Sequence, residues 1–153
     1  MSLFEQLHNK IYNKKFYVFF TWFTRVLLAI AFLPSGFIKI MGKRFTTISV
    51  EDPVGFFFEA MYQTGWYWNF LGLTQLIVAG LLLIPRTTFF ASLLYLPIII
   101  NIFFMVTSMH FTGTPVVTGL MLLANIYLIL WDYEKLKRIV YIIFQKASVM
   151  SSI

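Results

Sequence analysis

The chain contains no cysteine, which excludes structural disulfides, thiolate zinc or iron–sulfur sites and CxxC redox chemistry. Histidine is scarce as well. Only His8 and His110 are available as imidazole ligands, and His8 precedes the first apolar run, so a bis-histidine haem inside a bundle is not expected. The expectation is therefore no metal site and no covalent cofactor. Charge is the third scarcity: charged residues make up 12% of the 153 residues, hydrophobic residues 59%, and mean hydropathy is +0.80. Soluble domains have about 25% charged residues and about 45–50% apolar ones, so a soluble enzyme with a hydrated surface is excluded. The composition is that of an integral membrane protein, and the length allows a single membrane domain, 1–153.

A bilayer core about 30 Å thick needs roughly 20 apolar residues in a helix. Four runs meet that demand, at about 16–41, 66–84, 88–107 and 115–131. They are bounded by Gly42-Lys43-Arg44, Thr64-Gly65, Pro85-Arg86, Thr112-Gly113-Thr114-Pro115 and Asp132. The first is too long for a signal-peptide core and carries Arg25 and Lys39, so it reads as a span. Short links between the later runs predict an antiparallel four-helix bundle. The net charge of +6 comes from basic residues flanking the apolar runs, which fits topology signals and membrane lipids, and no nucleic-acid partner is expected. Lys10, Lys14, Lys15, Arg86, Lys135, Lys137, Arg138 and Lys146 fall on the side of the termini, eight residues against Lys39, Lys43 and Arg44 on the other. That bias puts both termini in the cytoplasm.

Between the first two runs, Thr46 to Pro53 reads as an extended loop, followed by a short helix over Val54 to Tyr62 with Asp52 as N-cap and Pro53 at its first position. This helix is too short to span and rich in phenylalanine, so it belongs in the outer interface or tucked into the bundle mouth. Gly65-Trp66-Tyr67-Trp68 follows at the interface, where Trp and Tyr anchor membrane helices. At the other end, Tyr133 to Phe144 reads as an amphipathic helix along the cytoplasmic face.

A charge at a membrane-helix centre costs about 2.5–3.5 kcal/mol, so Arg25 and Lys39 need partners. Fourteen positions apart, they share a helix stripe with Ala29, Phe32 and Gly36, with roughly 21 Å between them along the axis. Gly36 offers another helix a close approach. For Arg25 the alternatives are a clamp on carbonyls of a neighbouring helix or a place in a polar pocket. For Lys39 they are snorkelling to headgroups or the same pocket, with Glu59 as its acidic partner. Gln75, Asn101 and Asn125 each put one amide into an otherwise apolar span, serving either helix adhesion or ligand binding. The sharper reading has Arg25, Gln75 and Asn101 converging on one ligand. Pro34 and Pro97 leave free carbonyls inside helices, and Asn101, four residues after Pro97, could serve that disruption. His110, in an outer turn, is solvated or joins Lys39, Lys43 and Arg44 in gathering an anion.

Two stretches resemble the DoxX-like family of small four-helix bacterial membrane proteins. One is Arg25-Val-Leu-Leu-Ala-Ile-Ala-Phe-Leu-Pro-Ser-Gly36-Phe-Ile-Lys39, and the other is Gln75-Leu-Ile-Val-Ala-Gly80-Leu-Leu-Leu-Ile-Pro85-Arg86-Thr87. The likeness extends over roughly residues 20–132. Gln75 stands where many members carry an acidic residue, which argues against a proton relay there. The resemblance implies an inner-membrane bundle associated with thiosulfate:quinone chemistry or oxidant defence. On that basis the chain is expected to be an accessory protein of a redox system, with redox partner proteins and a quinone-like or lipid ligand bound by Arg25, Lys39, Glu59, Gln75, Asn101 and His110. The alternatives are a quinone-coupled oxidoreductase subunit acting on a sulfur anion or small organic substrate, and a small transporter or scaffold assembling through Gly36 and Gly80.

Overall fold

The computed structural model describes residues 15–144; His8, Lys10, Lys14 and Lys146 lie outside them. The described chain forms six helices and no strand: α1 (Lys15–Ile40), α2 (Pro53–Gln63), α3 (Trp66–Leu83), α4 (Thr88–Ser108), α5 (Thr114–Trp131) and α6 (Tyr133–Phe144). Four of them, α1, α3, α4 and α5, are long and apolar enough to cross a membrane, and their limits fall within a residue of those read from hydropathy. No more than a third of each apolar window is buried. Phe19, Ile30, Phe70, Ile77, Phe104 and Leu120 are among the many large apolar side chains left exposed. Water would not tolerate such a surface and lipid would, so this is the pattern of a multi-pass membrane protein.

Local chemistry sets the helix ends. Asp52, extended at φ −82° and ψ 136°, accepts from the Val54 N–H through Oδ1 at 2.7 Å, and Pro53 opens α2, as the sequence leads one to expect. At the end of α1, Gly42 takes φ +61°; its N–H donates to the Lys39 carbonyl while Lys43 N–H donates to Ile38. This crossed pair of bonds is the glycine-dependent helix stop. The end of α4 uses the same device with His110 at φ +53°: His110 N–H donates to Thr107 and Phe111 N–H to Val106.

α1 packs mainly against α3, and α4 against α5 and α3. The α1–α3 contact is backbone-close. A Cβ added to Gly72 would stand 2.7 Å from the Gly36 carbonyl and 2.7 Å from Lys39 Cβ, and one added to Gly36 would stand 3.1 Å from the Gly72 carbonyl. Gly80, by contrast, has nothing within 4 Å of where a Cβ would be, so of the two glycines expected to mediate assembly, Gly36 is used inside the molecule. The main core joins Leu28, Ala29, Phe32, Val78, Leu82, Tyr95, Ile99 and Leu128, with Phe32 and Tyr95 stacked at 4.0 Å between ring centroids. A second core seats Val54 and Phe58 of α2 on Trp68, beside Met105, Met109 and Phe111. α2 is thus tucked against the ends of α3 and α4. Trp66 and Tyr67 are exposed as interface anchors would be, but Trp68 is not one of them. It is 1% exposed, and its Nε1–H donates to the Lys43 carbonyl at 3.0 Å. α6 buries none of its residues.

Candidate functional site

The polar residues of the spans separate into distinct places. At the first, Arg25 reaches across to the C-terminus of α3. Its Nε donates to the Leu82 carbonyl at 2.9 Å and its Nη2 to the Leu83 carbonyl at 3.0 Å. The last carbonyls of a helix have no partner within it, and in hydrocarbon they find no water. Thr87 and Thr88 complete the set, donating to the Leu81 and Ile84 carbonyls. A cation at a helix C-terminus also meets the negative end of its dipole. Arg25, 8% exposed, is a carbonyl clamp, and its guanidinium does not meet Gln75 or Asn101.

At the second place, the close Gly36–Gly72 crossing puts Lys39 beside Gly72, and its long side chain reaches Gln75 on α3. Lys39 Nζ donates to Gln75 Oε1 at 3.0 Å and to Ser35 Oγ, while Ser35 Oγ–H donates to Gln75 Oε1 at 3.2 Å. The Phe45 and Trp68 rings close over the ammonium, with centroids 4.8 and 5.1 Å away, a cation–π arrangement. Lys39 is 8% exposed, so it does not snorkel. Among the described residues it makes no ion pair. Glu59, its expected partner, instead pairs with Arg44, Oε2 to Nε at 2.6 Å, and accepts from Gln63 at 3.0 Å. The physical reason is placement. Val54 and Phe58 turn one face of α2 inward, and Glu59, about 100° round the helix from Phe58, meets the loop cation while the Phe45 and Trp68 rings cover Lys39.

Asn101 stands apart from both. It is exposed and, among the described residues, its side chain makes no hydrogen bond, so it does not repair the Pro97 disruption. It lies in a lateral groove of about 640 Å³ walled by Phe57, Pro97, Ile100, Phe104, Met105 and Ser108. His110 is exposed and its left-handed backbone serves the α4 cap. Asn125 belongs to a third cluster: its Nδ2–H donates to the Ser92 carbonyl at 3.1 Å, with Tyr95 nearby in sequence on the same helix as Ser92. No group of three or more histidine, aspartate or glutamate side chains that could hold a metal gathers among the described residues.

Ser35 and Phe45 are participants that sequence reasoning passed over, and Trp68 was read only as an interface anchor. Ser35 was accessible through its four-residue spacing from Lys39. Phe45 was not, since only the path of the 41–52 loop brings it over the ammonium.

Fold and sites together define a multi-pass helical membrane protein in which the two buried cations among the described residues, Arg25 and Lys39, both join helices. Compared with known proteins, the chain matches no family model, no curated protein and no solved structure.

Proposed function

We propose that this chain is an accessory inner-membrane protein of a redox-associated system, DoxX-like in kind, that binds a quinone-like or lipid ligand in the lateral groove beside Asn101. Contacts of Arg25 with Leu82 and Leu83, and of Gly36 with Gly72, support opposite directions for α1 and α3 within an antiparallel four-helix bundle. The Lys/Arg count supports cytoplasmic termini.

The single observation behind the ligand reading is the Asn101 amide. It sits fourteenth in the 21 residues of α4, inside the apolar stretch, exposed and without a partner in the described chain. An unpaired amide moved from water to hydrocarbon costs roughly 2–7 kcal/mol depending on the reference. A ring carrying carbonyls relieves that cost by accepting from Nδ2, while Phe57, Phe104 and Met105 supply apolar walls. The residues present therefore fit a quinone-like group or the ester carbonyl of a lipid, with the Ser108 hydroxyl as a second polar group in the same groove.

The oxidoreductase reading has less behind it. Of the residues expected to gather an anion, Lys39 is covered and Arg44 is paired with Glu59. The test is identification of co-purifying small molecules by mass spectrometry on gently solubilised protein, beside Asn101→Leu. Quinone or a defined lipid retained by the parent and lost from the variant is the expected result. Equal retention, or none from either, rejects the groove.

A further inference from the structure

α6 begins where α5 ends, yet it is a separate helix. The backbone leaves the helical region at Asp132 (φ −93°, ψ 41°) and enters it again at Tyr133, with the Lys135 and Leu136 N–H groups donating to the Asp132 carbonyl. The first turn stays on the protein. Tyr133 and Leu136 are half-buried, and Lys135 Nζ lies 3.2 Å from Asp132 Oδ2 and 5.9 Å from the centre of the Phe89 ring. These contacts hold α6 at the end of the molecule where α4 starts.

Beyond that turn the protein falls away. Leu136, Ile139, Val140, Ile143 and Phe144 recur at the spacing of one helix stripe. From Ile139 to Phe144 the exposure of that stripe climbs from 38% to 81%. Water is a poor cover for such a patch. Hydrocarbon covers it only if the helix lies flat, because twelve residues reach about 18 Å, well short of a core about 30 Å thick.

The stripe calls for hydrocarbon, and the charges beside it select the headgroup. At about 100° per residue, Lys135 and Lys137 stand roughly 100° to either side of the stripe's centre. From there their stems can lie along the interface while the ammonium heads reach the phosphate level. Glu134, the one acid of α6, stands on the far side with Arg138, about 150–170° from that centre. Both edges that meet headgroups are therefore cationic, and the acid is turned away from them. A second copy seated on the stripe would set cationic edge against cationic edge, whereas an anionic surface complements both. α6 shares no residue with the groove beside Asn101. We infer that α6 docks on anionic phospholipid, its stripe lying in the bilayer surface and Lys135 and Lys137 binding phosphate groups along the two edges.

Because the chain has no cysteine, a single spin label can be placed at will. The full chain carrying Ile143→Cys or Tyr141→Cys is labelled and reconstituted into vesicles of phosphatidylcholine, alone or mixed equally with phosphatidylglycerol. With the anionic lipid, the label at 143 should be open to oxygen and shielded from a water-soluble nickel complex, while the label at 141 stays open to nickel. One cation near an anionic membrane surface shifts such an equilibrium about fivefold. Lys137→Gln should therefore lower the ratio of shielded to open label at 143 about fivefold, and Lys137→Arg should keep it. High salt should act as Lys137→Gln does. α6 buries no residue, so these changes leave the rest of the chain folded. The same accessibility at 143 in both lipids, shielding at both labelled positions, or spin–spin broadening from a second copy would overturn the proposal.

Discussion

Lys39 and Gln75 are hydrogen-bonded to each other, yet removing one should not cost the same as removing the other. Gln75→Leu deletes the 3.0 Å bond to the ammonium and leaves a buried charge with Ser35 and two ring faces. Hydrogen bonds to charged groups contribute about 1.5–3 kcal/mol, and that is the expected loss. Lys39→Met deletes the same bond and the ring contacts, but also relieves the cost of a buried charge, which is about 2.5–3.5 kcal/mol at a helix centre and lower in the last turn of α1, where Lys39 lies. Gln75 Oε1 keeps its Ser35 donor at 3.2 Å. The two effects nearly cancel, so Lys39→Met should lie within about 1 kcal/mol of the parent, with the packing of the flexible thioether chain under Phe45 and Trp68 deciding the sign. In the Lys39→Met background, Gln75→Leu removes only a neutral bond, worth about 1 kcal/mol or less. The assay is reversible unfolding in mixed micelles, followed by helical circular dichroism, for both single variants and the double. A larger cost for Lys39→Met than for Gln75→Leu, or additivity of the two changes, would refute this account of the buried ammonium.

Other consequences can be checked in the same assay. Arg25→Ala strips two charge-assisted bonds from the α3 terminus and should destabilise by about 2 kcal/mol after the relief of charge burial. Arg25→Lys should recover less than half, since one ammonium on a shorter stem replaces a fork; full recovery would contradict the clamp. Gly72→Ala should cost more than about 1 kcal/mol by forcing α1 and α3 apart, whereas Gly80→Ala, in open space, should be neutral or stabilising by up to about 1 kcal/mol. Similar outcomes at both glycines would remove the close crossing. His110→Gly should leave stability unchanged or raised, while His110→Val should lose about 1–2 kcal/mol from the left-handed cap; indifference to valine would deny the cap its role.

The spans were legible because hydropathy over about 20 residues is a strong signal, and the α2 start was legible because Asp52-Pro53 is a cap with a mechanism. Gln75 and Lys39 could be named as functional candidates, and the Arg25 clamp could be written as one of two alternatives. What could not be read was the pairing. Opposite charge pointed Lys39 to Glu59, but the preference is settled by the loop that lays Phe45 over the ammonium and brings Arg44 to Glu59. Asn101 was misplaced for a different reason. α4 is apolar on every side, so periodicity could not tell its inward from its outward face, and an amide in such a helix has no readable direction. Trp68 shares an interfacial motif with Trp66 but lies about 200° from it around the helix, which takes it into the core.

The partners of Arg25 lie 57 and 58 positions downstream. During synthesis the guanidinium of α1 therefore leaves the ribosome before the carbonyls that accept from it have been made. α1 should wait at the aqueous flank of the insertion machinery until the carbonyl end of α3 arrives, so that these two helices enter the bilayer as a pair.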